Sequence, residues 1–191
     1  MTLTNTPRHR HAVQFYEESS SLCRLVADFL AEGLTTGQPA IVIATADHEQ
    51  QILANLVARH VDIDHARRYG ELVLLEMEDT LGAFMLDGTP NSALFDQHMS
   101  TIFVQVTRVR PRATMRAYGE MVDVLWKAGR AEAAIKLEML WNALASRYAF
   151  SLLCGYAMGQ FYKQPDLYER VCAQHDAVLD LDAPAVVAPP V

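Results

Sequence analysis

The sequence has 191 residues, 51% of them hydrophobic and 20% charged, with a formal net charge of −7. That length fits one domain of the usual ~100–200 residues, large enough to bury a core without a disulfide or metal staple, and the composition is globular rather than disordered. The acidic balance argues against a nucleic-acid partner, since phosphate binding relies on clustered Lys and Arg; the one basic stretch, Arg108–Arg112 with Arg116 beyond it, is diluted by Val109 and Pro111 and reads as a solvated helix end.

Two periodicities alternate along the chain. His11–Tyr16 reads as a strand with Val13 and Phe15 on one face. Ser19–Ser21 offer N-caps to a helix striped by Leu22, Leu25, Val26, Phe29 and Leu30, and Gly37 stands where a left-handed residue ends it. Pro39–Thr45 is an apolar run of the kind buried on both faces, as parallel strands are. Asp47 with Gln50 resembles a capping box opening a helix through Ile52, Leu53, Leu56 and Val57. A helical turn around Asp64–Tyr69 ends at Gly70, and Glu71–Met77 is a third strand.

Asp79 is then placed to cap a helix over Thr80–Leu86, with a turn at Asp87–Asn91 and a long helix over Ser92–Arg108 that Pro111 stops. Ala113–Tyr118 predicts a fourth strand, Met121–Lys127 a short helix and Glu132–Tyr148 an amphipathic one. Phe150–Tyr156 is a fifth strand and Asp166–Val178 a last helix. Residues 1–8 read as a flexible N-terminus, 9–180 as one domain, and 181–191 as a disordered proline-containing tail. Strands separated by helices of ten or more residues predict an α/β fold: a mostly parallel central sheet with helices on both faces.

In such sheets the ligand crevice lies beyond the carboxyl ends of the strands. That rule collects Tyr16, Glu17, Thr45, Asp47, Glu76, Glu78, Tyr118, Glu120 and Tyr156, a set without lysine or arginine. A phosphate loop needs a glycine-rich turn followed by Lys and Ser/Thr, yet the first turn carries Glu17 and Glu18 and no glycine. Two carboxylates ~4 Å apart repel by roughly 4 kcal/mol at an effective dielectric of 20, and a helix N-terminus offsets only ~0.3–1 kcal/mol. Standard ATP binding is disfavoured, and neither a GxSxG elbow nor an HExxH pair is present.

Several residues admit two readings. His9 and His11 flank Arg10 and would face one side of a strand, where a metal could bridge them; a frayed polar start to the strand is the simpler account, and no metal or cofactor is expected. Cys23, Cys154 and Cys172 fall at unrelated spacings, so they form neither a disulfide framework nor a zinc signature, and Cys154 reads as a small buried hydrophobe. Glu76 and Glu78 are either a carboxylate pair of raised pKa or a solvated rim with an N-cap. Glu120, directly after the strand-end Gly119, is a base, a ligand anchor or a partner for a backbone turn. Glu138 and Asn142 lie one helical turn apart and could reach a common partner, or else cap packing around Trp141.

These stretches also carry a family resemblance. His11-x-Val-x-Phe-Tyr16, Phe29-Leu-x-Glu-Gly33, Gly37-x-Pro-x-x-Val-Ile43 and Gly70-x-Leu72 are followed by Gly119-Glu-Met-Val122, Leu125-Trp126, Leu137-Glu-x-Leu-Trp-Asn142 and Phe150-Ser-Leu-Leu-Cys-Gly-Tyr156. In that order, over about residues 9–163, the chain resembles the MEDS domain, a sensory module of methanogen and methylotroph regulators and other bacterial signalling proteins. The resemblance implies a RecA-like fold without a phosphate loop and a role in sensing small molecules, hydrocarbon derivatives among them. The matched positions His11, Tyr16, Glu120, Glu138 and Tyr156 stand as candidates, joined by Tyr118 and Asn142 from the reading of the residues.

The leading expectation is a non-catalytic sensor for bacterial transcriptional or other signalling. An uncharged or cationic ligand would sit between Tyr16, Tyr118, Glu120 and Tyr156, and the bound state would be relayed to a protein partner. A ligand-free adaptor of a signalling kinase is the second reading, and a degenerate nucleotide hydrolase using Glu120 as base the third. The family's signalling role allows a homodimer. No signal peptide opens the sequence and no stretch approaches the ~20 apolar residues of a membrane span, so a cytoplasmic location without membrane contact is expected. Nothing foldable follows Asp182, so the sequence reads either as a stand-alone member or as a piece of a longer protein.

Overall fold

In the computed structural model, which describes residues 9–159 and 165–179, strand β1 (His9–Tyr16) leads into helix α1 (Ser19–Thr35). Strand β2 (Ala40–Ala44) is followed by α2 (Ala46–Ala58) and a short α3 (Ile63–Arg68), and β3 (Leu72–Glu76) by α4 (Met77–Gly82). A small antiparallel hairpin, β4 (Met85–Leu86) with β5 (Thr89–Pro90), precedes α5 (Ser92–Val109). Next come β6 (Met115–Gly119), α6 (Met121–Lys127), α7 (Ala131–Leu144), β7 (Phe150–Ala157), α8 (Pro165–Cys172) and β8 (Ala177–Leu179). The flexible start expected over residues 1–8 and the disordered tail over 181–191 lie outside the described residues.

The main sheet has the strand order β3-β2-β6-β7-β1-β8, and every pairing in it is parallel. Connections that step towards β3 carry α1, α2 and α3. Those that step back towards β8 carry α5, α6, α7 and α8. Because parallel crossovers keep one hand, the reversal of direction puts the two sets of helices on opposite faces. The core divides accordingly. Leu22, Val26 and Leu30 of α1 with Ile52 and Leu56 of α2 pack on Val42, Tyr118 and Leu153. Phe95, Met99 and Phe103 of α5 with Leu137 and Trp141 of α7 pack on Val13, Ile41, Ile43 and Leu152. All of β2 is buried, which is why its sequence alternates neither in polarity nor in size.

Two glycines show why this chain takes this shape. Gly37, at φ +79°, closes α1: its N–H donates to Leu34 O and that of Gln38 to Gly33 O, the paired bonds of a left-handed helix stop. At Gly33 a Cβ would meet the Arg116 side chain at 2.6 Å. Arg116 runs across that bare spot to donate to Phe29 O and Glu32 Oε2, and its guanidinium stacks 4.9 Å from the Phe29 ring centre. The basic stretch is therefore spent on internal contacts at Arg116 and on the Arg110–Glu71 ion pair.

The sequence misplaces several boundaries. α4 starts at Met77 rather than Thr80, because Glu76, not Asp79, caps it: Glu76 Oε2 accepts from Asp79 N at 2.7 Å. That settles Glu76 as an N-cap. The expected caps of α1 and α2 do not form; Glu18 and Thr45 stand there without side-chain cap bonds. The last predicted helix stops at Cys172, and Ala177–Leu179 instead adds a parallel edge strand to β1, since Asp176 N donates to His11 O and Asp176 Oδ2 accepts from His11 N. Among the described residues no helix is long and apolar enough to cross a membrane.

Candidate functional site

The crevice rule points to a definite place in this topology. The chain leaves β2 into α2 on one face of the sheet, while its neighbour β6 leads into α6 on the other, so the sheet's carboxyl edge opens between them. Glu120 lies in that opening, at the N-cap of α6, but its carboxylate reaches across to α2 instead of capping its own helix. Glu120 Oε1 accepts the Thr45 N–H at the α2 N-terminus; Oε2 accepts His48 Nδ1–H at 2.5 Å and the Tyr118 hydroxyl at 3.3 Å. A helix N-terminus suits a carboxylate, since both its free N–H groups and its dipole favour negative charge.

Burial alone would raise the Glu120 pKa, but the His48 and Thr45 hydrogen bonds outweigh it and hold the carboxyl below its ordinary range. The same contact holds His48 above an ordinary imidazole, against its partial burial. Burial, then the Glu120 charge, pushes the Tyr118 phenol well up, so it remains a donor. Cys23 nearby is pushed up to about 11 by burial and by Glu120, an inert thiol at neutral pH.

One helical turn on, Asp123 repeats the arrangement. Its Oδ2 accepts from Tyr16 OH and Lys127 Nζ, both at 2.7 Å, and Oδ1 accepts from Ala157 N at 2.8 Å. Lys127 Nζ also donates to the Tyr16 oxygen at 3.0 Å. Tyr16, Tyr118, Glu120 and Asp123 are all buried; His48 and Lys127, with side chains 13% and 50% exposed, form the rim that solvent reaches. The expected absence of lysine from this edge is thus overturned, because α6 carries Lys127 back onto the end of β1.

The other candidates gather elsewhere. His11, Glu138, Asn142 and Tyr156 meet on the opposite face, where α7 covers β1 and β7 and the loop before β8 closes the side. Glu138, fully buried, has His11 Nε2 at 3.2 Å from Oε2 and His175 Nε2 at 3.3 Å from Oε1. Tyr156 OH donates to Oε1 at 2.9 Å and Cys154 Sγ to Oε2 at 3.5 Å. Cys154 Sγ is also 3.4 Å from His11 Nε2, and the donor atoms of His11, Glu138, Cys154 and His175 all lie within 4.8 Å of one another.

Burial works against charge on Glu138, yet the two histidines hold its carboxyl well below the ordinary range. His11 is raised because the pull of Glu138 exceeds the cost of burial. Burial, then the Glu138 charge, pushes the Cys154 thiol and the Tyr156 phenol well up.

Of the seven sequence candidates, Tyr16, Tyr118 and Glu120 therefore share the crevice, while His11, Glu138, Asn142 and Tyr156 share the second cluster. Tyr156, expected beside Glu120, turns instead to Glu138, because β7 alternation sends it to the face of Cys154 and Leu152. Glu138 and Asn142 do reach a common partner: Asn142 Oδ1 lies 2.9 Å from His11 Nδ1. The side chain of His9, paired with His11 in the sequence, is outside the described residues.

The sequence reading missed Asp123, His48, Lys127 and His175, and took Cys154 for a hydrophobe. Asp123 had a legible signal, standing one turn after Glu120 on the same helix face. His175 had none, being 164 positions from the histidine it meets.

Comparison with known proteins agrees with the fold and supplies a family. The model of the MEDS family, the methanogen/methylotroph DcmR sensory domain, matches residues 10–176, and the chain belongs to it. A KaiC-like protein from the hyperthermophilic archaeon Pyrococcus horikoshii superposes with a TM-score of 0.54 at 8% identity, over 78% of this chain and 61% of that one. This chain thus spans less than two thirds of that relative. An uncharacterised protein of the same organism, in complex with an unknown peptide, superposes with a TM-score of 0.62 at 11% identity, over 89% of this chain and 76% of that one. At such identities the likeness concerns the RecA-like fold alone. No curated protein sequence matches the chain.

Proposed function

We propose that this MEDS-family chain is a non-catalytic sensory module that takes a small uncharged or cationic ligand at the rim of the crevice cluster and relays its state to a protein partner. The observation that carries the reading is the Glu120 clasp. One carboxylate ties the N-terminus of α2 to the N-terminus of α6, two helices on opposite faces of the sheet, through Thr45 and His48. A ligand that takes the place of His48 on Glu120 or of Lys127 on Asp123 competes with this clasp and shifts the two helices relative to each other, which is how differential binding becomes a change of state.

Charge supports the ligand class. Glu120 and Asp123 face one lysine and one histidine of raised pKa, so the cluster carries no surplus positive charge for a phosphate. The turn from β1 into α1 still presents Glu17 and Glu18, with no glycine, where a nucleotide-binding fold would cradle phosphate. The family's description as a sensory domain supports the signalling role.

The test is a native mass spectrum of the chain purified from its own host, run beside a His48→Gln variant. An extra mass that leaves on denaturation and is lost or reduced in the variant supports the reading. The same mass retained undiminished in the variant removes the crevice rim from the site. A bare wild-type chain that instead copurifies with a second protein favours the ligand-free adaptor.

A further inference from the structure

We propose that His11, Glu138, Cys154 and His175 form a closed tetrahedral site for a divalent transition-metal ion of the zinc type. This is independent of the ligand reading at the crevice, and three observations carry it.

The first is the direction of the imidazoles. Asn142 Nδ2 donates to Gln174 O at 2.9 Å, which turns Asn142 Oδ1 towards His11 Nδ1. A carbonyl oxygen carries no hydrogen, so the Nδ1 of His11 is the protonated nitrogen. His175 Nδ1 likewise meets Val171 O at 2.7 Å. Both rings therefore aim Nε2 at the Glu138 carboxylate. The Nε2 of His175, wholly buried, has no hydrogen-bond partner among the described residues beyond its 3.3 Å approach to Glu138 Oε1. A nitrogen placed against a carboxylate in this way holds a positive centre between them, a proton or a metal ion. A histidine whose second nitrogen is held by a carbonyl is also the usual outer support of a metal ligand, since it fixes tautomer and ring orientation.

The second is spacing. Metal–ligand lengths of about 2.0–2.1 Å for nitrogen and oxygen and about 2.3 Å for sulfur imply tetrahedral edges of roughly 3.3–3.6 Å. The separations are 3.2 Å from His11 Nε2 to Glu138 Oε2, 3.5 Å from Cys154 Sγ to the same oxygen, 3.4 Å from Cys154 Sγ to His11 Nε2 and 3.3 Å from His175 Nε2 to Glu138 Oε1. Three donors thus stand at nearly the edge lengths of one coordination tetrahedron, and the fourth, His175 Nε2, lies with them inside a span of 4.8 Å.

The third is charge. One thiolate and one carboxylate balance a divalent ion with both imidazoles neutral, giving an uncharged centre in a buried place where net charge is costly. A soft thiolate, two imidazoles and one carboxylate in tetrahedral array suit zinc, or its usual stand-in cobalt, rather than calcium or magnesium. Four protein ligands leave no open position, so the site is structural. It would lock β1, β7, α7 and the loop entering β8 together, and so fix the edge strand that ends the described chain.

Cobalt substitution of the full chain tests this. Chelator-stripped, folded protein should bind one Co2+ per chain, with a thiolate-to-cobalt band in the near ultraviolet and the intense visible bands of a tetrahedral centre, and Zn2+ should displace it. Cys154→Ser should abolish the near-ultraviolet band. His175→Ala, whose backbone is partly exposed, should weaken binding on the order of 100-fold or more, and Asn142→Ala by roughly 10–100-fold. Wild-type protein with native circular dichroism that takes up neither Co2+ nor Zn2+ overturns the proposal without reference to any variant. So does a cobalt spectrum lacking the thiolate band, or uptake that survives both Cys154→Ser and His175→Ala unchanged.

Discussion

The crevice cluster and the α7 cluster are made of nearly the same parts, a buried carboxylate with histidine and tyrosine around it, and they differ in who brings the hydrogens. At Glu120 every partner arrives with its own: a backbone N–H, an imidazole N–H and a phenol O–H. The carboxylate is satisfied and works as a clasp between two helices. At Glu138 Tyr156 and Cys154 bring hydrogens, while both imidazoles spend Nδ1 on carbonyl oxygens and face the carboxylate with Nε2. A buried carboxylate beside histidine is thus not one kind of site. Where the outer nitrogen of the ring is held by a carbonyl, the inner one meets the carboxylate through an added proton or a metal ion.

The comparison breaks first at Glu138. In chelator-treated protein, Glu138→Leu should cost about 3–5 kcal/mol in urea unfolding, the usual loss when one member of a buried charged set is removed from the others. A loss below about 1 kcal/mol would mean that this carboxylate is not what holds His11 and His175. Glu120→Gln should cost less, about 1–3 kcal/mol, because an amide can keep only one of its two ends as an acceptor for Thr45 N–H, His48 and Tyr118. If Glu120→Gln proves the costlier of the two, the clasp and the ligand set have been assigned the wrong way round.

The pH dependence of the clasp sharpens the contrast. His48 is faced by Glu120, Asp123, Lys127 and Tyr16. Its pKa is raised above 6.5, so its contribution is complete below 6.5 and is lost as pH rises through the folded value. The Glu120 pKa is lowered below 4.5, so its contribution is complete above 4.5 and is lost as pH falls through the folded value. The stability difference between wild type and His48→Gln should therefore be largest between about pH 4.5 and 6.5 and shrink on the alkaline side. Urea midpoints from pH 4 to 9 decide it, and a difference that is flat or grows above pH 7 would count against an ion pair.

Much of the fold was legible and only part of the chemistry. The five central strands follow from apolar runs, and the crevice follows from the sheet rule, which is why Tyr16, Tyr118 and Glu120 were found together. What the sequence hid is whatever depends on distant strands lying side by side. β8 is three residues long and starts only because Asp176 pairs with His11, so no periodicity announces it. The α7 cluster draws His11, Glu138, Cys154 and His175 from three elements and a loop, with no short spacing between them. A metal signature read along the chain needs ligands close in sequence. Here parallel pairing brings them together instead: β1 and β7 lie side by side with Val13 opposite Cys154, which puts His11 and the cysteine on one face of adjacent strands.

The smallest effect belongs at the rim. Lys127 is half exposed, and Asp123 beneath it keeps the Tyr16 hydroxyl and the Ala157 N–H when the lysine is gone. Lys127→Met should therefore cost less than about 1 kcal/mol, as exposed ion pairs usually do, and that small loss should shrink further in high salt. Equilibrium unfolding at low and high ionic strength measures both. A loss above about 2 kcal/mol would place Lys127 in the clasp itself. The crevice would then be a closed polar core like its counterpart under α7, and the rim would no longer be free to answer a ligand.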